Sequence, residues 1–80
     1  MDDLNDNERG VLEALYRESE NYGHDFGVTE DVVLPEGITP QQFAGYMSQL
    51  VQKGYVWVAS VGCGYPDQFV LEAKALEVFV

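Results

Sequence analysis

TPQQFAGYMSQLVQKGYVWVASV, residues 39–61, decides the fold of this chain. Thr39 is an N-cap residue, Pro40 has its φ preset for the first helical position, and Gln42 stands three residues on, where its side chain can reach back. Phe43, Tyr46, Met47, Leu50 and Val51 follow at i, i+3, i+4, i+7 and i+8, which puts one apolar stripe on a helix. Lys53 falls in the last turn and Gly54 is the natural residue to leave it in the left-handed conformation. Tyr55 to Val61 is then rich in β-branched and aromatic residues and predicts a strand.

Working outward, Gly62-Cys63-Gly64-Tyr65-Pro66-Asp67 has the composition of a hairpin loop, and Gln68 to Leu71 returns as the second strand. Ala73 to Glu77 favours a short final helix. Upstream, Pro35 ends a short second helix whose N-cap is Thr29 and which runs Glu30-Asp31-Val32-Val33, because the residue before a proline is pushed out of the helical region. Glu36-Gly37 makes the turn. The segment Asn21 to Gly27 reads as a loop. The first helix begins at Asn5, capped reciprocally with Glu8, and turns Val11, Leu12, Leu15 and Tyr16 inward. Asp6, Gly10, Glu13, Arg17 and Glu20 face the other way, with Glu13 and Arg17 in the favourable i,i+4 order.

Helix, short helix, tight turn, capped helix ending in Lys53-Gly54, then a hairpin: this order resembles the winged helix-turn-helix of MarR- and PadR-like regulators. Ile38 to Phe43 and Leu50 to Val56 carry the resemblance, with Phe69-Val70-Leu71-Glu72 at the last wing strand, and it covers about residues 5 to 75. It implies an α+β fold in one domain spanning 1–80: three helices, a two-stranded β-hairpin wing and a short C-terminal helix. It implies DNA binding less directly, because unrelated functions share this fold.

Charge argues against DNA. The formal net charge is -10, and eleven of the fourteen acids lie in residues 1–36 against two arginines. The half that would read DNA is close to neutral, and on the outward face of its helix stand Gln41, Gly45, Ser48, Gln49 and Gln52. Such residues can reach base edges, but phosphates need Lys or Arg for most of the affinity. Lys53 adds one cation at the end of that face. A phosphate approaching the start of the second helix would meet Glu30 and Asp31, which already complement its dipole.

Other chemistry is thinly represented. The one histidine, His24, has no nucleophile linked to it in sequence, and Cys63 has no neighbouring cation to lower its pKa. A calcium loop starting at Asp3 fails, since Glu8 stands where glycine is needed and Ala14 where the bidentate acid belongs. One cysteine also excludes an intrachain disulfide. No enzyme, metal or cofactor is expected. Tyr46, Tyr55, Trp57 and Phe69 fall at spacings that fit inward, core-packing positions. The apolar tail, Leu76, Val78, Phe79 and Val80, either packs back on the first helix around Leu4 and Leu15 or forms a homodimer seam through Leu76, Phe79 and Val80. No basic-apolar leader opens the chain, and its longest apolar run, Tyr55 to Ala59, is far short of the ~20 residues of a membrane span. The expectation is a soluble cytoplasmic protein with no membrane partner.

The leading expectation is therefore a non-catalytic protein that binds another protein. Asp6, Glu13, Glu20, Asp25, Glu30 and Asp31 would form an anionic face that imitates nucleic acid. The face would engage a basic nucleic-acid-handling complex such as a CRISPR, restriction or transcription assembly, as inhibitors encoded by phages and mobile elements do. The bland counterpart is a solvated face that keeps a small protein in solution. The alternative is a dimeric DNA-binding regulator that reads bases with Gln41, Ser48, Gln49 and Gln52.

Overall fold

Both long helices start on reciprocal caps. In the computed structural model, which describes residues 4–23, 25–59 and 67–79, helix α1 spans Asp6–Glu20. Asn5 Oδ1 accepts from the Glu8 amide at 2.7 Å and Glu8 Oε1 accepts from the Asn5 amide at 3.0 Å. Helix α2 spans Pro40–Gln52. There Thr39 Oγ1 accepts from the Gln42 amide at 3.2 Å and Gln42 Oε1 accepts from the Thr39 amide at 3.0 Å. Each arrangement satisfies two helix-start N–H groups and is worth about 1 kcal/mol.

The far end of α2 closes as its sequence foretells. Gly54 has φ +84°, its amide donates to the Val51 carbonyl at 3.1 Å, and the Tyr55 amide reaches the Leu50 carbonyl at 3.0 Å. These two bonds make a Schellman motif, and its apolar contact partners, Leu50 and Tyr55, are both buried. Tyr55 is thereby placed directly ahead of strand β2, Val56–Ala59. Strand β3, Gln68–Leu71, returns antiparallel to it with Val56 opposite Leu71 and Val58 opposite Phe69. Helix α3, Ala73–Val78, follows.

Two expectations fail between α1 and α2, for one shared reason. The segment read as loop contains a strand, β1 at Phe26–Val28, which pairs antiparallel with β3. The sheet therefore has three strands in the order β1-β3-β2 instead of a two-stranded hairpin. The expected second helix is a single 3-10 turn, Thr29–Asp31. Thr29 is not its cap: its amide and hydroxyl both donate to the Asp67 carbonyl, at 3.0 and 3.1 Å. With the threonine spent on locking β1 to β3, the turn starts at Val28 without a side-chain cap, and Val32 is already extended. Glu30 and Asp31 therefore do not guard a helix dipole, since one 3-10 turn has little dipole to guard.

The core lies between the inner sheet face and the helices. Val11, Leu12 and Leu15 of α1, Met47 and Leu50 of α2, Val56, Phe69 and Leu71 of the sheet and Ala75 of α3 are buried there. Tyr16, Phe43 and Tyr46 are partly buried against them. Three polar residues expected on no inward face are buried as well, Glu8, Glu18 and Ser19. Lys53 Nζ donates to Glu8 Oε1 at 2.8 Å, tying the start of α1 to the end of α2. Glu18 Oε1 accepts from Asn21 Nδ2 at 2.9 Å.

Of the four aromatic residues assigned inward, Tyr55 and Phe69 are fully buried and Tyr46 partly so. Trp57 is a correction, because it is 55% exposed. Strand alternation explains it: Val56 and Val58 take the inner face, so Trp57 between them must point outward. The tail packs back. Phe79 stacks on Tyr16 of α1 with ring centroids 4.6 Å apart, and Leu4, Leu76 and Val78 pack against the core. Leu76 and Phe79 thus have partners within the chain. His24, Cys63 with the loop before Asp67, the strand end at Ser60 and Val61, and Val80 lie outside the described residues.

Candidate functional site

The six carboxylates assigned to an acidic face fall into two groups. Asp6, Glu13 and Glu20 recur every seven residues on α1, so they form a stripe at intervals of about 10 Å. Asp6 and Glu20 are exposed, while Glu13 Oε1 accepts from Arg17 Nη2 at 2.6 Å in an exposed pair that screens much of its charge. Asp25, Glu30 and Asp31 are exposed around β1 and the turn after it. Asp31 accepts a long hydrogen bond, 3.4 Å, from the Tyr22 hydroxyl just beyond α1. Reduced hydration, the charges of Asp31 and Glu18, and that hydrogen bond together raise the Tyr22 phenol above its ordinary 10.0.

The stripe on α1 also borders a groove that has no local signal in the sequence. Gly10, Glu13, Ala14, Arg17, Glu18 and Asn21 form one wall, and Val33, Leu34 and Pro35 the other, around about 430 Å³. Val33, 83% exposed, stands at its edge. The groove exists because the chain leaves helical geometry at Val32, where a helix through Val33 was expected, and then passes close to Gly10 at Pro35.

On α2 the polar face is as the helical wheel places it: Gln41, Gly45, Ser48, Gln49 and Gln52 are all exposed. Lys53 does not belong to that face. Its side chain is 25% exposed and turned onto Glu8. Lys74 is likewise engaged within the fold, donating to the Lys53 carbonyl at 2.9 Å with its ammonium 4.4 Å from the centre of the Tyr55 ring. Arg17, Lys53 and Lys74 are thus all held by groups of the chain itself.

A further surface was not foreseen. Phe26, Val70 and Trp57 stand opposite one another across β1, β3 and β2, on the sheet face turned away from the core. Tyr22 extends this row, its ring 5.3 Å from that of Phe26. Alternation within β2 could have placed Trp57 here from the sequence. Phe26 and Tyr22 could not be so placed, because the strand that aligns them has no local signal.

Among the described residues no cluster of His, Cys, Asp and Glu is arranged to hold a metal ion. No described helix is long and apolar enough to cross a membrane. Comparison with family models, curated proteins and solved structures gives no match.

Proposed function

We propose that this chain is a winged-helix module whose activity is to bind a cationic protein without catalysis. The winged-helix reading rests on the order α1, β1, 3-10 turn, α2, β2, β3 with β1 beside β3, the second helix being reduced to one turn. The observation that carries the binding reading is the internal use of the cations. Arg17, Lys53 and Lys74 are engaged by Glu13, Glu8 and the Lys53 carbonyl, while Asp6, Glu20, Asp25, Glu30 and Asp31 are exposed. A surface of this sign attracts a basic partner over several ångströms and repels phosphate. A basic nucleic-acid-handling complex, of the kind that phage-type inhibitors occupy by mimicking nucleic acid, is the target class that fits.

A second reading keeps the neutral α2 face in play. Gln41, Ser48, Gln49 and Gln52 are exposed and able to hydrogen-bond base edges. One pair of titrations separates the two. The chain should bind an oligoarginine peptide at low salt, with affinity falling as salt rises, and should not retain random duplex DNA. Retention of duplex at low salt without oligoarginine binding would replace the first reading with the second.

A further inference from the structure

We infer that the outer sheet face, with Trp57 at its centre of exposure, is where a cationic segment of the partner docks, an arginine stacking on the indole. The inference rests on the proposed cationic partner and moves the anchor away from the α1 stripe. Three observations carry it. First, Tyr22, Phe26, Val70 and Trp57 form a continuous row across all three strands, with Trp57 55% exposed and Tyr22 37%. Tryptophan and tyrosine are the residue types that dominate binding energy at interfaces, since they bring large area at small entropic cost.

Second, the row is set among carboxylates. Asp31 accepts the Tyr22 hydroxyl at one end. Asp25 precedes β1, Asp67 precedes β3 and Glu72 follows it, all exposed. Segments 20–31, 56–59 and 67–72 contain no lysine or arginine. Reduced hydration and then the charges of Asp31 and Glu18 raise the Tyr22 phenol, so carboxylates bear on this end of the row. An exposed indole on a sheet whose strands are flanked by carboxylates suits a guanidinium, which is planar, weakly hydrated and stacks on aromatic rings.

Third, the sign of the charge selects among occupants. A second copy would bring another net charge of -10 against this face. An anionic bilayer would be repelled for the same reason. The α1 stripe, by contrast, has Glu13 paired with Arg17 and offers no aromatic side chain on its outward positions.

The test uses the full chain and compares oligoarginine with oligolysine of equal length at low salt. Trp57 is the chain's single tryptophan, so its fluorescence reports contact directly, and calorimetry gives the affinity. Oligoarginine should quench Trp57 saturably and bind more tightly than oligolysine. Trp57→Ala should weaken oligoarginine binding about three- to tenfold and erase the preference over oligolysine, while Trp57→Phe restores part of both. Because Trp57 is outside the core, circular dichroism of each variant should match the parent. A combined Asp6→Asn, Glu13→Gln, Glu20→Gln variant should lose less than Trp57→Ala does. If that variant loses binding and Trp57→Ala stays within about twofold of the parent, the docking site is wrong although the cationic partner stands. If oligoarginine does not bind the parent chain at all, the proposed function fails with it. Trp57-dependent binding to zwitterionic vesicles in place of oligoarginine, or Trp57-dependent dimerisation in sedimentation, would also overturn the inference.

Discussion

Gly27→Ala should be among the most damaging single-methyl additions this chain can receive. A Cβ at Gly27 would lie 2.7 Å from Cζ and 2.9 Å from Cε1 of Phe69, and 3.1 Å from Cγ of Glu18. Contacts under 3 Å are not tolerated, so something must move. The Phe69 ring is completely buried in the core and pinned between β1 and the helices, and Glu18 is buried with its carboxylate on Asn21. Neither can swing into solvent. Overpacking of a tight site costs about 1–3 kcal/mol. Replacing a strand glycine returns roughly 0.5–1 kcal/mol of unfolded-chain entropy. For a site closed by a buried ring the upper half of that range, about 2–3 kcal/mol, applies, so the net is a loss of about 1–2.5 kcal/mol, or a Tm lower by roughly 4–20 °C in a domain of this size. Gly45→Ala is the matched control. Gly45 is exposed in the middle of α2, and an added Cβ meets no atom within 4 Å. That change should stabilise by roughly 0.5–1 kcal/mol through helix propensity. Urea unfolding followed by far-ultraviolet circular dichroism measures both, since Trp57 is too exposed to report the core. A Gly27→Ala midpoint equal to or above that of the parent, with the same denaturant slope, would refute the packing of β1 against Phe69.

Three other outcomes follow from named contacts. Thr39→Ala removes one half of the α2 cap and should cost about 1 kcal/mol, while Thr29→Ala should lower stability by loosening the β1 end from Asp67, with no loss of helical signal. A double-mutant cycle of Glu8→Gln and Lys53→Met should return a coupling of about 1–2 kcal/mol, kept below the figure for a fully buried pair because Lys53 remains a quarter exposed; a coupling near zero would remove the α1–α2 tie. Alkaline spectrophotometric titration, resolved by difference against Tyr22→Phe, should find Tyr22 ionising above pH 10.0, and Asp31→Asn should bring it back toward that value. The folded phenol holds its proton more tightly than the unfolded one. Its contribution to stability is complete below pH 10.0 and declines as pH rises through the higher folded value.

The long helices and the two returning strands were legible because their signals are local. Asn5 with Glu8, Thr39 with Pro40 and Gln42, and Gly54 after Lys53 act within a few residues of one another, and those caps form as read. The periodic apolar stripe on α1 and the inward position of Phe69 likewise met their expected burial. The exposed glutamine face of α2 follows from the same wheel. What misled was residues 21–33, where composition says loop and then helix.

Only the tertiary structure decided that Phe26–Val28 is a strand, since its backbone partners are Gln68 to Val70, some forty residues away. The same pairing took Thr29 from its helix, left Val32 extended and opened the groove beside α1. It also aligned Tyr22 and Phe26 with Val70 and Trp57, making a surface from residues that share no sequence pattern. The distribution of charge belongs to the sequence. Which carboxylates remain available belongs to it only in part: Arg17 lies one turn from Glu13 on α1, whereas Glu8 meets Lys53 only in the folded chain. By itself the sequence determines caps, periodicity and net charge, each set by neighbours one or two helical turns away. Strand pairing and the Glu8–Lys53 tie are long-range, and only folding brings their partners within reach.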